Sequence, residues 1–285
     1  MTARSLGWGA AVVAATCGST PALGAQVMRT FSVVRPVGAE RMLRVTLDFR
    51  GGSVLLLPAT TGQLYNMRVR YDPDRYAPVQ QYDPRTGILH LGIESLGGMG
   101  LRVTSGSQLE QLARFEFAAD VPLVLSATLD ASDATVDLGG TMLAQLDIES
   151  GATHATVDFS RPTRGTCKSA TFTVGASQLE VQHLGQAGCA QVRVEGGAGS
   201  TTLGFQGAWR RDIALTVDLA LGGLVLQIPR GTGVRIAGRR FLAPLDGEGL
   251  VRTGDSWQTP GFERAAHKLD VDLKASITSI GIDWQ

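Results

Sequence analysis

An all-β, single-stacked β-solenoid of short strands with glycine-rich corners is the fold predicted by this 285-residue sequence. Three observations predict it. First, an aliphatic-x-aliphatic triplet recurs at Val136-Asp137-Leu138, Val157-Asp158-Phe159, Leu179-Glu180-Val181, Leu203-Gly204-Phe205 and Leu224-Val225-Leu226, with successive spacings of 21, 22, 24 and 21. Second, the last four are each preceded by another triplet (Leu146-Asp147-Ile148, Phe172-Thr173-Val174, Val192-Arg193-Val194, Val217-Asp218-Leu219) and a corner at Gly151-Ala152, Gly175-Ala176, Gly196-Gly197 or Gly222-Gly223. A fixed period of this length marks a solenoid, because one coil cannot bury its apolar face alone and stacked coils share a continuous core. Third, Cys167 and Cys189 lie 22 residues apart, one period. Stacked strands are ~4.8 Å apart, within the Cα range of roughly 4.4–6.8 Å that a disulfide tolerates. The two cysteines are therefore expected to bridge adjacent coils. An antiparallel sandwich also has frequent turns. Asn-Gly and Asp-Gly hairpin signals are nearly absent between the repeat strands, and Asp246-Gly247 lies outside them.

In chain order, Met42 to Thr60 reads as strand, Gly51-Gly52 corner, strand, and Leu64 to Asp72 alternates as a further strand. Asp72-Pro73 and Asp83-Pro84 start turns by fixing φ and by side-chain bonds to the backbone. Ile88 to Ile93 pairs with the segment around Val79 to Tyr82 as a hairpin, and Ser95 to Gly106 is a glycine-rich loop. Leu109 to Ala118 has a helical composition, but the alternation of Phe115 and Phe117 and the following Pro122 favour a strand. Ile213 to Ile236 shows the repeat most plainly, and Leu269 to Leu273 repeats it near the end. Residues 238–266 read as an insertion or end cap, 95–120 as a sub-boundary, and 26–285 as one continuous domain.

Residues 1–25 have the layout of a secretory signal peptide: Arg4, the apolar run Leu6 to Ala15, and small residues up to Ala25. Cleavage there starts the mature chain at Gln26. Cys17 raises lipidation as an alternative, against which Thr16 and Ala14 fit poorly. Export permits the disulfide. No transmembrane span is expected in the mature chain, because the apolar run is too short to cross a bilayer. The formal net charge is zero, which gives no global pull toward nucleic acid or an anionic membrane surface. Aromatics at 6% argue against stacking platforms for single strands or sugars.

No catalytic constellation stands out, and no catalytic, metal or cofactor-binding residue is assigned. His90, His154, His183 and His267 are dispersed, and there is no Cys-x-x-Cys, His-x-x-x-His, Gly-x-Ser-x-Gly or Gly-Lys-Ser element. The pointed polar signal is aspartate between aliphatics: Asp48, Asp137, Asp147, Asp158, Asp218, Asp270 and Asp272. Such a ladder suits calcium or an acidic pair in a polysaccharide-cleaving groove. Solvated outward strand positions explain it more simply. Arg161, Arg164 and Lys168, with the pairs Arg210-Arg211 and Arg239-Arg240, read either as solvated loop charge or as a surface for an anionic glycan or phospholipid head group.

The stretches LDFRGGSVLLLPA, LYNMRVRYDPDRYAPVQQYDPRTGILHLGI, VDLALGGLVLQIPRGTGVRI and LDVDLKASITSIGIDW resemble the toast-rack or adhesin-like domains of bacterial envelope proteins. The same domain forms the C-terminal part of LiaF-like envelope-stress regulators. The resemblance implies a single-sheet-wide stack of β-coils without known enzymatic activity. It carries over no functional residue. LiaF-like members also have N-terminal transmembrane helices, where a signal peptide is expected in this chain. The expected function is a non-catalytic exported interaction or scaffolding protein of the envelope or cell surface. It would bind an envelope protein or glycan, with oligomerisation through strand edges open. A β-helix polysaccharide-degrading enzyme and a regulator of an envelope-stress sensor are the alternatives.

Overall fold

The computed structural model describes residues 27–97, 111–152, 154–238 and 248–285. The expected signal peptide at 1–25, Cys17, most of the loop at 95–106, and Arg239-Arg240 lie outside the described residues. In chain order the strands are β1 (Arg29–Pro36), β2 (Leu43–Pro58), β3 (Gln63–Tyr71), β4 (Tyr76–Asp83), β5 (Ile88–Ser95), β6 (Leu112–Phe117), β7 (Pro122–Asp137) and β8 (Met142–Ser150). There follow β9 (His154–Asp158), β10 (Cys167–Gln182), β11 (Cys189–Gly204), β12 (Ile213–Ile228), β13 (Gly233–Ala237), β14 (Val251–Thr253), β15 (Ser256–Gln258) and β16 (Lys268–Trp284). Two single helical turns, Leu184–Ala187 and Phe262–Arg264, complete the described elements. The class is all-β.

The described strands join in one hydrogen-bonded sheet. Through its middle the neighbours run parallel, with β7, the pair β8 and β9, β10, β11 and β12 stacked in chain order. Cys167 faces Cys189 and Val192 faces Leu215, each about one period on. A disulfide joins Cys167 to Cys189, with the Cα atoms 4.3 Å apart.

The glycine corners do not separate two strands, as the sequence suggests. β10, β11 and β12 are each 16 residues long and run through their corners. Pairing resumes directly beyond the bend, as at Ala176 with Ala198 and Ala198 with Leu221. A corner in one layer lies on a corner in the next, so the ladder bends without ending. Among these middle layers the one made of β8 and β9 is cut, at Gly151-Ala152.

The corner also changes the side-chain phase. In β12 the buried positions are Ile213, Leu215, Val217 and Leu219 before the bend, then Leu224, Leu226 and Ile228 after it. The step of five in place of an even number turns the inward face of the second half toward that of the first. β2 does the same with Leu43, Val45, Leu47 and Phe49 followed by Val54 and Leu56. The core is thus the space between the two limbs of every layer. Phe49 and Phe115 meet edge-on inside it, centroids 6.3 Å apart.

The layers leave chain order at both ends. β2 lies between β7 and a layer made of β5 and β6, although β5 and β6 come between β2 and β7 in sequence. At the far end, β16 is inserted between β12 and β13, so the last strand of the chain fills a gap left one layer inside. Antiparallel strands then finish each end: β1 on β3 on β6, and β4 on β5, at one, and β13, β15 and β14 at the other. The chain therefore departs from the simple running order of coils expected from the sequence. Long-range pairing of β5 and β16 is invisible to a local period, because it depends on which layer offers an unpaired edge.

A polar cluster seals the end near β1. The Tyr82 hydroxyl donates to Glu40 Oε1 at 2.8 Å, and the Gln80 amide donates to the Tyr65 hydroxyl at 2.7 Å. The Arg35 guanidinium lies 4.3 Å over the Tyr82 ring. Burial, then the bond to Glu40, pushes the Tyr82 phenol up to about 12. Because the folded state favours the neutral phenol, this stabilisation is whole below the unfolded value of about 10. It is lost as pH rises through the window to about 12. Absorbance titration is expected to show a late-ionising tyrosine whose amplitude disappears in Tyr82→Phe; an unchanged late transition in that variant contradicts the assignment.

Candidate ligand groove

The groove forms where β1, β3, β6, β2 and β7 lie side by side. Met67 and Val69 point into the core, so alternation turns Arg68 and Arg70 outward on β3. The same logic turns Leu112 and Arg114 outward on β6, because Ala113 and Phe115 are buried. Antiparallel pairing sets Arg68 opposite Arg114 and Arg70 opposite Leu112. Parallel pairing then sets Ser53 beside Leu112 and Leu55 beside Arg114. A depression of about 580 Å³ opens along these rows, edged by the three arginines and floored by Val54, Leu55, Leu112 and Ala113. Leu112 keeps 44% of its surface exposed.

The charges in the groove are poorly balanced. Arg114 donates from Nε to Glu116 Oε1 at 2.7 Å, and Glu116, itself buried, also accepts from Asn66 at 2.8 Å. Arg68 and Arg70 make no ion pair among the described residues. Like charges directly opposite on a strand pair are unfavourable, and Arg68 faces Arg114. The lining carboxylate is Asp133, which pairs in register with Ser53. Three strand spacings separate it from Arg70, roughly 14 Å. A larger hollow of about 820 Å³ near the chain end sets Arg230 and Arg264 against Glu248 and Asp283, so its charges offset one another.

The basic residues singled out from the sequence hold connecting loops together. Arg164 donates to the carbonyls of Ala119 and Gly140 and to Asp120 Oδ1, at 2.6, 2.8 and 2.6 Å. Arg210 donates to Thr163 Oγ1 at 2.8 Å and to the Gly165 carbonyl at 3.2 Å. Arg161 reaches the Gly139 carbonyl at 3.5 Å. These guanidiniums tie successive loops along one side of the stack, while Lys168 and Arg211 are exposed.

The aspartates divide between the two limbs. Asp48, Asp147, Asp218, Asp270 and Asp272 lie on the first limb, Asp137 and Asp158 on the second. Asp147 and Asp272 fall in one row but four layers apart, through Thr171, Arg193 and Thr216. Asp270 is held by Arg235, whose pKa this hydrogen bond raises. Asp137 and Asp158 are register neighbours. Asp137 is occupied by the Gly139 amide at 2.8 Å and the Ser160 hydroxyl at 2.7 Å, and Asp158 by His183 Nδ1 at 2.7 Å. Asp48 and Asp130 do converge on one arginine, Arg50, at 3.1 and 3.8 Å. They sit on the exposed ridge at the corner, not in a concavity, and the Asp48 hydrogen bond raises the Arg50 pKa. Among the described residues no group of His, Cys, Asp and Glu is arranged to hold a metal. His90 is exposed, His154 lies 3.1 Å from Gln178, and the His267 ring stacks 5.8 Å from Trp209.

Arg68, Arg70 and Arg114 were missed by sequence reasoning. Alternation in Met-Arg-Val-Arg-Tyr marks two of them as outward, but nothing local says that β6 lies beside β3.

An all-β protein whose described strands join in one sheet, with no helix among the described residues long and apolar enough to cross a membrane, is the class that the fold defines. The chain belongs to the family described as the N-terminal domain of toast_rack, DUF2154, which matches residues 25–182. Among solved structures it is similar to a candidate cell adhesion protein from Clostridium sporogenes, at 13% identity and a TM-score of 0.49, over 90% of this chain and 100% of that one. It is also similar to a candidate adhesin from Bacteroides fragilis, at 9% identity and a TM-score of 0.40, over 90% and 98%. No curated protein matches.

Proposed function

We propose that the chain is a non-catalytic, exported interaction or scaffolding protein of the cell envelope or surface. In this reading residues 26–285 form one continuous domain, a β-solenoid in all but the swapped order of its end layers. The observation that carries it is the groove of Arg68, Arg70 and Arg114, where positive charge stands over an apolar floor and Asp133, the lining carboxylate, lies on a strand three away from Arg70. A retaining or inverting glycosidase needs two carboxylates flanking the scissile bond. The convergent pair here, Asp48 and Asp130, is bridged by a guanidinium on a ridge.

Two measurements test this reading. The purified protein is expected to leave the viscosity of a panel of acidic glycans unchanged; a fall in viscosity that Asp48→Asn abolishes would establish the enzyme instead. Cross-linked capture from intact envelopes by tagged protein is expected to recover a specific envelope component. Recovery of nothing above an untagged control would sink the interaction reading. Export is checked by the mature N-terminus, expected at Gln26.

A further inference from the structure

We propose that the groove between β3, β6 and β2 binds an anionic phospholipid, with the head-group phosphate against Arg68, Arg70 and Arg114 and the start of an acyl chain along Leu112 and Leu55. This deepens the interaction reading above and rests on it.

The argument begins with a conflict between global and local charge. The chain as a whole is neutral, which removes any general attraction to an anionic surface. Yet register places Arg68 directly across from Arg114, with Arg70 one row away and without an ion pair among the described residues. A phosphate entering between them relieves the repulsion and accepts several charge-assisted hydrogen bonds, for which planar guanidinium is well suited. Among the described residues the carboxylate beside Arg114, Glu116, is already shared with Asn66, and Asp133 lies across the groove on β7.

The floor selects among anions. Leu112 is nearly half exposed on a strand whose inward neighbours are fully packed, and Leu55 continues the aliphatic track on β2. Among the described residues no aromatic side chain lines the groove. Sugar and base recognition lean on aromatic faces, so an acidic glycan would leave the apolar floor unused. An anionic lipid uses both parts. The site is a shallow depression on a sheet face and not an enclosed cavity, which suits a lipid still seated in its leaflet.

The test is flotation of the whole mature protein with vesicles of phosphatidylglycerol and phosphatidylcholine in equal parts, against pure phosphatidylcholine. The wild type is expected to float with the anionic vesicles only and to be partly released by high salt. Arg68→Gln with Arg70→Gln is expected to lower partitioning by about thirtyfold, the effect of two basic residues at an anionic leaflet. Leu112→Ser lowers it by roughly threefold to tenfold through lost apolar contact. Arg50→Gln, on the corner ridge outside the groove, leaves it unchanged, and circular dichroism of each variant checks that it is folded. Wild-type flotation that the arginine pair does not affect overturns the site. Equal flotation with neutral vesicles, or arginine-dependent binding to soluble alginate without vesicle binding, overturns the lipid. In those cases the interaction reading survives if envelope capture still succeeds; if capture fails as well, both are wrong.

Discussion

Gly222→Val is expected to be among the most destabilising single substitutions in the chain, lowering the melting temperature by roughly 10 °C. Gly222 sits at the corner of β12 with φ of 120°, a backbone conformation that side chains rarely adopt. It is the register neighbour of Gly199 in β11, which is in turn the neighbour of Ser177 in β10. A Cβ at Gly222 would overlap the carbonyl of Gly199, and one at Gly199 would overlap that of Ser177. The obstacle is backbone on a packed stack, so neither partner can swing aside. Backbone strain contributes about 1–3 kcal/mol, and forced displacement of packed neighbours contributes about 1–3 kcal/mol more. A total of about 4 kcal/mol is a large share of the roughly 5–15 kcal/mol that holds a domain folded. Gly51→Ala is the informative control. Gly51 also has positive φ, at 81°, but nothing lies within 4 Å of its Cβ position. It is expected to lose only the strain, about 1 kcal/mol. Thermal unfolding of the two variants decides the matter, and equal losses would show that corner stacking is not what limits the site.

Removal of the disulfide is expected to cost nearly as much. Cys167 and Cys189 close a loop of 22 residues in sequence, for which loss of unfolded-state entropy is worth about 3.4 kcal/mol at 25 °C. Both are buried, with 0% and 1% of their surface exposed, at the paired starts of β10 and β11. Replacing both with serine buries two hydroxyls as well, so Cys167→Ala with Cys189→Ala isolates the cross-link more cleanly. The guanidinium midpoint should fall, with a larger slope as the unfolded chain expands. Burial of the sulfurs adds a kinetic expectation: reductant opens the bond slowly in the native protein and rapidly once denaturant exposes it. A double-alanine variant that loses less than about 1 kcal/mol would mean that β10 and β11 are already held in register in the unfolded ensemble.

The sequence shows unequal amounts about different parts of this molecule. The all-β class, the layer period and the stacking of Cys167 on Cys189 are legible because each follows from local alternation and one repeated length. Strand β6 is legible from Phe115 and Phe117, and the β4–β5 hairpin from its Asp-Pro turn. The continuity of strands through their corners is not legible. A glycine pair looks the same whether it ends a strand or bends one, and the neighbour's corner supplies the difference. The swapped end layers are hidden for a related reason: β5, β6 and β16 find edges that sequence order does not announce.

The arginines show the division most plainly. By itself the sequence determined which side chains of β3 point outward. Met67 and Val69 are apolar and alternate with Arg68 and Arg70, which cannot be buried without partners. It also determined the repeat and the covalent staple. Only the tertiary structure decided that Arg68 meets Arg114 over an aliphatic floor, and that Arg164 and Arg210 are spent on loop carbonyls. Outwardness is set by a residue's immediate neighbours along the strand, whereas company across strands is set by register between segments tens of residues apart.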